Sequence, residues 1–172
     1  ENKDIKWAVC QISNLNTYNQ TVFSGHLIKL KRFAKFVKKQ KKIRGKLLKV
    51  KAPFHCSIFN NMAENFHKEY LSLLEYQVPK NLIISNINGM LIDENNFKTL
   101  NLANHLKLHC IKQVNWIACV EKCIEELNID GFIEIGPGNI LSNLTKDIIS
   151  TKYKDKSIEI VTINSLENLQ VL

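Results

Sequence analysis

Two short apolar runs near the start of the chain, residues 7–13 and 20–24, are rich in strand-forming side chains. The polar segment 14–19 between them predicts a hairpin. Residues 26–39 instead repeat apolar side chains at helical spacing with lysines between them, which predicts an amphipathic helix. A weaker alternation at residues 46–51 predicts one more strand. Together these elements predict a small α+β layer.

From Pro53 onward, strand and helix patterns follow one another along the chain. Alternating β and α elements predict fold class α/β with a parallel-sheet core, so we divide the chain into domains 1–51 and 52–172. Because a strand-like segment follows Glu1 almost at once, we expect the chain to be part of a longer protein. The predicted strands are at 82–85, 132–135 and 157–163, and the predicted helices are at 60–76, 99–111, 115–127 and 139–149.

Positive charge is concentrated in one stretch of the sequence. Residues 29–51 hold 12 of the 24 Lys and Arg residues and no acidic residue, whereas the remainder holds 12 basic and 16 acidic residues, a net charge of −4. Three interpretations stay open: a solvated helix face, a docking surface for an acidic partner or a CoA phosphate, and a nucleic-acid site. The nucleic-acid interpretation lacks any RNP-like or helix-turn-helix pattern. No apolar run in the sequence approaches the roughly 18 residues of a membrane span.

Histidines and cysteines are the candidate chemical residues. The five cysteines form no CxxC pair and no zinc-finger spacing. His105 and His109 lie four apart on one predicted helix and Cys110 follows, so a metal site is one alternative to solvated or core-facing histidines, although no third ligand is near in sequence. His55 lies at a predicted strand-to-helix junction, where α/β folds expose functional side chains, and a capping or buried histidine is the alternative.

Glycines follow the predicted strand 132–135 in the sequence FIEIGPGN. Glycines between a strand and a helix can let backbone N–H groups cradle a phosphate. The segment has neither the Walker lysine spacing nor GxGxxG, and a tight strand-to-helix turn explains it equally well.

Several segments together resemble malonyl-CoA:acyl carrier protein transacylases, in the order and at about the spacing of that family. The resemblance covers nearly the whole chain and corresponds to the C-terminal portion of such an enzyme. It implies a partial hydrolase-like α/β core at 52–172 and part of a small ferredoxin-like α+β subdomain at 1–51. The matching segments are ISNLN at 12–16, QTVFSGH at 20–26, APFHC at 52–56, ISNING at 84–89, QVNW at 113–116 and FIEIGPGNILS at 132–142.

The resemblance implies a Ser/His acyl transfer from malonyl-CoA to acyl carrier protein in type II fatty acid biosynthesis, without a cofactor or a metal. His55 matches the histidine that takes the proton of a serine in a GHSxG elbow. It further implies that a backbone carbonyl orients this ring, and the matching position is His109. The elbow serine, the GxGxQ oxyanion loop and the malonyl-binding arginine have no counterpart in the sequence. We expect them upstream, so the chain alone should not catalyse transfer.

The resemblance also assigns binding residues. Phe54, just before the histidine, matches a position where phenylalanine favours malonyl over bulkier acyl groups. A second set lies on the subdomain side of the cleft and could contact pantetheine or the acyl group, with turn residues as the alternative: Asn14, Asn16 and Gln20. A third set is the candidate for carrier or CoA phosphate contacts: Lys42, Arg44 and Lys46.

The expected partners are acyl carrier protein, malonyl-CoA and the serine-bearing half, with neither nucleic acid nor membrane. Two alternatives stay open, an acyltransferase-like scaffold without catalysis and a basic interaction module. Lys- and Asn-rich composition indicates an AT-biased genome, and the compartment expected for a lone transacylase is a bacterial cytoplasm or a plastid-type organelle.

Overall fold

The computed structural model of the chain describes residues 9–165. Residues 7 and 8 of the first predicted strand, and the end of the second predicted domain from 166, lie outside the described residues. The strands are β1 (Cys10–Thr17), β2 (Gln20–Gly25), β3 (Ile83–Ile84), β4 (Leu91–Ile92), β5 (Val114–Asn115), β6 (Gly131–Ile135) and β7 (Glu159–Ile163). The α-helices are α1 (Leu27–Lys41), α2 (Asn60–Glu69), α3 (Glu94–Phe97), α4 (Leu102–Ile111), α5 (Trp116–Glu125) and α6 (Ile140–Lys152), and single 3₁₀ turns lie at Ser57–Phe59 and Leu71–Leu73.

β1 and β2 form the expected antiparallel hairpin, but its loop is shorter than predicted. Asn14 and Asn16 lie in β1, and only Tyr18 and Asn19 form the turn. Two register irregularities accommodate the polar residues within the strand. Asn14 is paired on both sides, with Val22 of β2 and in parallel with Val114 of β5. The predicted loop at 14–19 was therefore wrong, because strand pairing on both edges outweighs the low strand propensity of asparagine.

The amphipathic helix predicted at 26–39 is confirmed as α1, entered through Gly25. At this glycine φ is +155°, and a Cβ atom would lie 2.2 Å from the carbonyl oxygen of Val9, so the tight entry excludes a side chain. The strand predicted at 46–51 is wrong. Residues 43–50 form neither helix nor strand and are exposed throughout, because a strand needs a partner for its N–H and C=O groups and none of the described strands pairs with this segment.

β6 and β7 pair in parallel over five residues and carry the main core against α5 and α6. The buried side chains of this core are Val120, Ile124, Ile148 and Tyr153, with Phe132 of β6 packed against them. The α/β class with parallel strand pairing is thus confirmed for this part of the chain. The helices predicted at 99–111 and 115–127 start later, as α4 and α5, because Asn101 and Asn115 cap their first turns.

Two predictions in the middle of the chain need correction. The helix predicted at 60–76 ends at Glu69 with α2, although apolar spacing continues. Leu73 and Leu74 are 75% and 57% exposed, so no packing supports a longer helix. The buried strand predicted at 82–85 is only β3, which pairs antiparallel with β4, and its Ile83 is 49% exposed.

Among the helices of residues 9–165, none combines the length and the apolar character needed to cross a bilayer.

The hairpin turn contacts the helices of the core. The Tyr18 hydroxyl donates a hydrogen bond to the Glu121 carboxylate on α5. Asn19 reaches Asp147 on α6 at 3.4 Å. These contacts, together with the β1–β5 pairing, join the first layer to the parallel-strand core.

Candidate active site

His55 closes the C-terminal end of α4 with both its backbone and its ring. Its N–H donates to the carbonyl of Cys110 at 3.2 Å, and ring atom Nδ1 lies 2.8 Å from the carbonyl oxygen of His109. The last carbonyls of a helix have no partner within the helix. One of them is satisfied by the Lys112 N–H, which donates to Leu108. Two of the three that remain, the carbonyls of His109 and Cys110, fix the position of His55.

The contact with the His109 carbonyl determines the protonation pattern of the ring. A carbonyl oxygen can only accept, so Nδ1 of His55 carries the proton and donates it. In the neutral ring, Nε2 then holds a lone pair and can accept a proton from a nearby hydroxyl or thiol. The backbone of His55 has φ of +54°, in the left-handed region that non-glycine residues rarely adopt. Such outliers persist where the surrounding structure holds them.

Residues on either side of His55 differ sharply in exposure. Cys56 is completely buried, whereas Phe54 is 53% exposed and its ring packs edge-on against Phe59 with centroids 5.5 Å apart. The Ser57 hydroxyl donates to the side chain of Gln11 on β1 at 2.8 Å. The segment carrying His55 is thus anchored by α4 on one side and by the hairpin on the other.

A buried polar pair lies behind α4. Nε2 of His105 is 2.8 Å from the hydroxyl oxygen of Ser85, and these residues are 8% and 2% exposed. The rings of His105 and His109 meet edge-on with centroids 5.1 Å apart. Burial lowers the pKa of both imidazoles, and the neighbouring rings of His105 and His55 lower the pKa of His109 further. The two rings therefore favour the neutral form at pH 7.

The structure does not support the alternative that His105 and His109 bind a metal ion. Over the part of the chain that the structure describes, no three His, Cys, Asp or Glu side chains are grouped so as to hold a metal ion. Nε2 of His105 is engaged by Ser85.

The hairpin residues predicted to bind substrate are hydrogen-bonded to other residues of the hairpin. Oδ1 of Asn14 accepts from the Ser13 hydroxyl at 2.8 Å, and Nδ2 of Asn16 donates to Oε1 of Gln20 at 2.7 Å. The structure places Asn16 and Gln20 at the exposed end of the hairpin, next to the turn. Their contact with pantetheine or an acyl group stays a prediction.

Lys42, Arg44 and Lys46 all lie on the exposed segment that follows α1. Lys42 ends the helix in the left-handed conformation with φ of +56°. Its neighbours along the segment include exposed apolar residues, among them Ile43 and Leu47, each 58% exposed. This surface is thus both basic and apolar, and its binding of a carrier or CoA phosphate stays a prediction.

The glycine segment after β6 is better explained as a turn than as a phosphate loop. The carboxylate of Glu134 accepts from the N–H groups of Leu141 and Ser142 at 3.0 and 2.8 Å. Hydrogen bonds from Ser142, and then from Leu141, hold the pKa of Glu134 below its usual value. The protein's own carboxylate therefore occupies the N–H groups at the start of α6 that an anion would use.

Sequence reasoning missed Ser85, the Cys110 carbonyl and Glu134 as parts of these sites. Ser85 and His105 are 20 residues apart, and a hydrogen bond at that separation has no local signature. The spacing of His105 and His109 is visible in the sequence, but it suggests a metal ligand pair rather than a serine partner. An acidic residue before GPG, followed by a helix, is a signal from which the Glu134 cap could have been found.

Known proteins resemble this chain over almost all of its length. "Malonyl CoA-acyl carrier protein transacylase" of Staphylococcus aureus (strain MSSA476) is 28% identical over 165 residues, which is 94% of the chain and 49% of that protein. The protein of the same name from Bacillus subtilis (strain 168) is 30% identical over 141 residues, 80% of the chain and 42% of the relative. No protein-family model matches the chain.

A solved structure agrees with these relatives. The crystal structure of malonyl CoA-acyl carrier protein transacylase from Clostridium perfringens ATCC 13124 superimposes with a TM-score of 0.83 at 30% identity, covering 98% of the chain and 49% of that structure. The chain spans about half the length of the curated relatives it matches.

The class to which these comparisons point is that of the transacylases, which are acyltransferases. Within it, the resemblance to malonyl-CoA:acyl carrier protein transacylases is confirmed, and the chain is homologous to about half of such an enzyme. A match of that extent is consistent with the predicted C-terminal portion.

Proposed function

We propose that the chain supplies the general base of a malonyl-CoA:acyl carrier protein transacylase of type II fatty acid biosynthesis, with His55 as that base. The observation that carries this proposal is the 2.8 Å contact between Nδ1 of His55 and the His109 carbonyl. It fixes the ring and leaves Nε2 for proton transfer. Support for the reaction class comes from the names of the homologous chains.

The serine nucleophile comes from the half of the enzyme that the chain does not match. The serine hydroxyl gives its proton to Nε2 of His55 while its oxygen attacks the thioester carbonyl of malonyl-CoA. The CoA thiolate leaves and takes the proton back from the imidazolium. A malonyl ester on serine remains. The carrier's phosphopantetheine thiol then gives its proton to Nε2, attacks the ester, and the serine oxygen leaves and is reprotonated by the ring.

A backbone carbonyl suits this cycle because it accepts the Nδ1 proton of both the neutral ring and the imidazolium. The two carbonyls of Cys110 and His109 belong to the last turn of α4. The C-terminal end of a helix carries partial negative charge, which stabilises a cation beside it. The positive charge that the His55 ring gains in each half-reaction thus forms next to the negative end of the α4 dipole. This end is already in place, so the protein does not need to rearrange.

Substrate recognition follows from the surfaces around this base. We infer that exposed Phe54 contacts the malonyl group, and that Asn14, Asn16 and Gln20 meet pantetheine. Lys42, Arg44 and Lys46 attract the acidic carrier or a CoA phosphate, since complementary charge raises encounter rates and orients a partner. The partners of the chain are then malonyl-CoA, acyl carrier protein and the serine-bearing half. No cofactor enters this reaction.

We also infer the finer architecture of the domains. Residues 52–172 form part of a hydrolase-like α/β core, and residues 1–51 form part of a ferredoxin-like subdomain. The parallel β6–β7 pair and the β1–β2–α1 unit are consistent with this division. The compartment stays the one predicted from the sequence, a bacterial cytoplasm or a plastid-type organelle, and the relatives named above are bacterial.

The test of the proposed function is the intact mass of the full-length protein after brief exposure to malonyl-CoA. We expect a rapid malonyl adduct in the wild type, and we expect His55→Ala to form it about 10²- to 10⁴-fold more slowly, since this is the usual contribution of a general base. His26→Ala is the matched control, because His26 bonds to Val9 at the start of α1 instead.

An adduct that forms equally fast in His55→Ala would remove His55 from the mechanism. A folded wild type that carries its elbow serine and yet forms no adduct would favour the scaffold. Salt-sensitive binding of that protein to any nucleic-acid duplex would favour the basic interaction module.

A further inference from the structure

The buried pair Ser85 and His105 lies one helical turn before the carbonyl that holds His55. His105 and His109 are four residues apart on α4, so their side chains share one face of the helix. We propose that the hydrogen bond between Ser85 and His105 sets the position of α4 and thereby keeps the His55 ring in its reactive orientation. Ser85 and His105 are then positioning residues. The inference rests on the proposed role of His55.

Ser85 is itself rigidly held. Its N–H donates to the Met90 carbonyl and its carbonyl accepts from the Gly89 N–H, both at 2.8 Å. Its hydroxyl oxygen accepts from the Ile87 N–H at 3.3 Å and can give its own proton to Nε2 of His105. The turn between β3 and β4 thus presents one fixed hydroxyl to α4. A fixed partner of this kind can determine where a helix lies.

Besides its contacts with His55 and Ser85, α4 makes an ion pair with α2 that is partly exposed. Lys107 pairs with Glu64 of α2 at 2.9 Å, and the Glu64 side chain is half exposed. Exposed ion pairs stabilise weakly and hold geometry loosely. The Ser85–His105 hydrogen bond is buried, so its loss leaves an unpaired polar atom away from water. Between these two contacts, the buried one has the larger influence on the rotation and axial position of α4.

A change in that rotation or position reaches His55 directly. Both acceptors that hold His55, the carbonyls of His109 and Cys110, belong to the last turn of the helix. A small shift of the turn lengthens the bond to Nδ1 and allows the ring to rotate or to change tautomer. Reactions that depend on aligned groups are sensitive to displacements of this size.

Ser85 and His105 do not form a second nucleophilic pair. Ser85 is 2% exposed, so its hydroxyl cannot meet a thioester carried by CoA or by a carrier protein. A cavity of about 210 Å³ lies beside the pair, with apolar walls that include Ile92, Phe97 and Leu106. It gives α4 room to move when the hydrogen bond is removed.

The test uses Ser85→Ala in the full-length protein with two independent measurements. We expect kcat for malonyl transfer to fall about 10- to 100-fold with little change in KM, because substrate contacts are untouched while alignment is lost. We also expect the ¹⁵N NMR signals of the His55 ring to show a smaller Nδ1–H fraction. Ser85→Thr keeps the hydroxyl, its added methyl can occupy the cavity, and it should restore both properties.

Ile92→Val is the matched control for packing. Ile92 is 4% exposed and lines the same cavity, but it makes no hydrogen bond through its side chain. The Ile92→Val variant should keep the wild-type kcat and the wild-type tautomer of the His55 ring. His105→Phe provides a second variant if Ser85→Ala does not fold, since it keeps a planar ring and removes both ring nitrogens, including the Nε2 that bonds to Ser85.

Three outcomes would overturn the positioning role. The first is wild-type kcat and an unchanged His55 tautomer in folded Ser85→Ala or His105→Phe. The second is an equal loss in Ile92→Val, which would assign the effect to packing. The third is a failure of Ser85→Thr to recover activity although folded. If the wild type forms no malonyl adduct, the proposed function fails, and the NMR comparison still decides whether Ser85 fixes the ring.

Discussion

At the scale of single residues, His55 shows how far sequence reasoning reaches. A predicted strand-to-helix junction makes it a candidate, although the structure has no strand just before it, and the resemblance indicates both its role and a carbonyl at His109. The structure contains that carbonyl contact, at 2.8 Å. The second contact, from the His55 N–H to Cys110, and the Ser85–His105 pair depend on three-dimensional proximity between segments 20 to 55 residues apart. No local pattern encodes such contacts.

The lowered pKa values of His105 and His109 predict a pH-dependent stability. Each group is more easily protonated in the unfolded chain than in the folded one, so their contribution is present above about pH 6.5. It is lost as pH falls through the lowered folded pKa values. The groups facing His105 are the Ser85 hydroxyl and the His109 ring, and neither carries a compensating negative charge.

We therefore expect Tm to fall by several degrees between pH 7 and pH 5, measured by circular dichroism. His105→Phe should reduce this fall, because one of the two titrating groups is gone. Ile92→Val, which changes a buried side chain without removing a titratable group, should keep the slope of the wild type. Parallel Tm curves for His105→Phe and wild type would contradict the assignment.

At the scale of elements, strongly periodic segments were predicted well and short strands poorly. α1, α5 and α6 carry clear helical spacing, and β6 and β7 are short segments rich in isoleucine. The strand predicted at 46–51 failed because its pattern is weak and its pairing depends on a partner that local sequence cannot reveal. The asparagines of the hairpin wrongly predicted a loop, because strand pairing keeps Asn14 and Asn16 within β1.

The basic segment after α1 gives a prediction about carrier docking. Reversing charge with Lys42→Glu, Arg44→Glu and Lys46→Glu together should lower kcat/KM for acyl carrier protein about tenfold or more at low salt, through the encounter step. The rate of self-malonylation from malonyl-CoA at saturation should change little. Because these residues lie outside helices and strands and are exposed, folding should be unaffected.

Stopped-flow or steady-state transfer assays over a range of salt concentrations provide the measurement. The wild type should lose carrier reactivity as salt rises, and the triple variant should show a flatter response. Charge reversal at Lys98, an exposed lysine just after α3, is the control. Identical salt profiles in the triple variant and the wild type would show that the carrier docks elsewhere.

At the scale of the whole molecule, residues 9–165 leave one face of the parallel strand pair exposed. Phe132 faces the core, whereas Ile133 and Ile135 on the opposite face are 55% and 76% exposed. Ile140, at the start of α6, is 70% exposed. Parallel sheets are normally covered on both faces. The relatives are about twice as long as the chain and so contain further polypeptide that could cover such a face.

We expect the 172-residue chain by itself to self-associate through this face. Sedimentation velocity over a range of concentrations should show oligomers, and Ile133→Lys with Ile135→Lys should shift the chain toward monomer. Leu73→Lys is the control, since Leu73 is 75% exposed but lies in a 3₁₀ turn outside the sheet. Unchanged association in the double variant would mean that another surface causes it.

The left-handed backbone of His55 has a consequence for protein engineering. Glycine adopts φ of +54° without steric cost, and it would keep the backbone hydrogen bond to Cys110, which does not involve the side chain. Screens that reward thermostability alone can therefore accept glycine at this position when relief of backbone strain outweighs the lost Nδ1 hydrogen bond to the His109 carbonyl. The proposed acyl transfer requires the imidazole, so a stabilised library needs an activity selection to retain it.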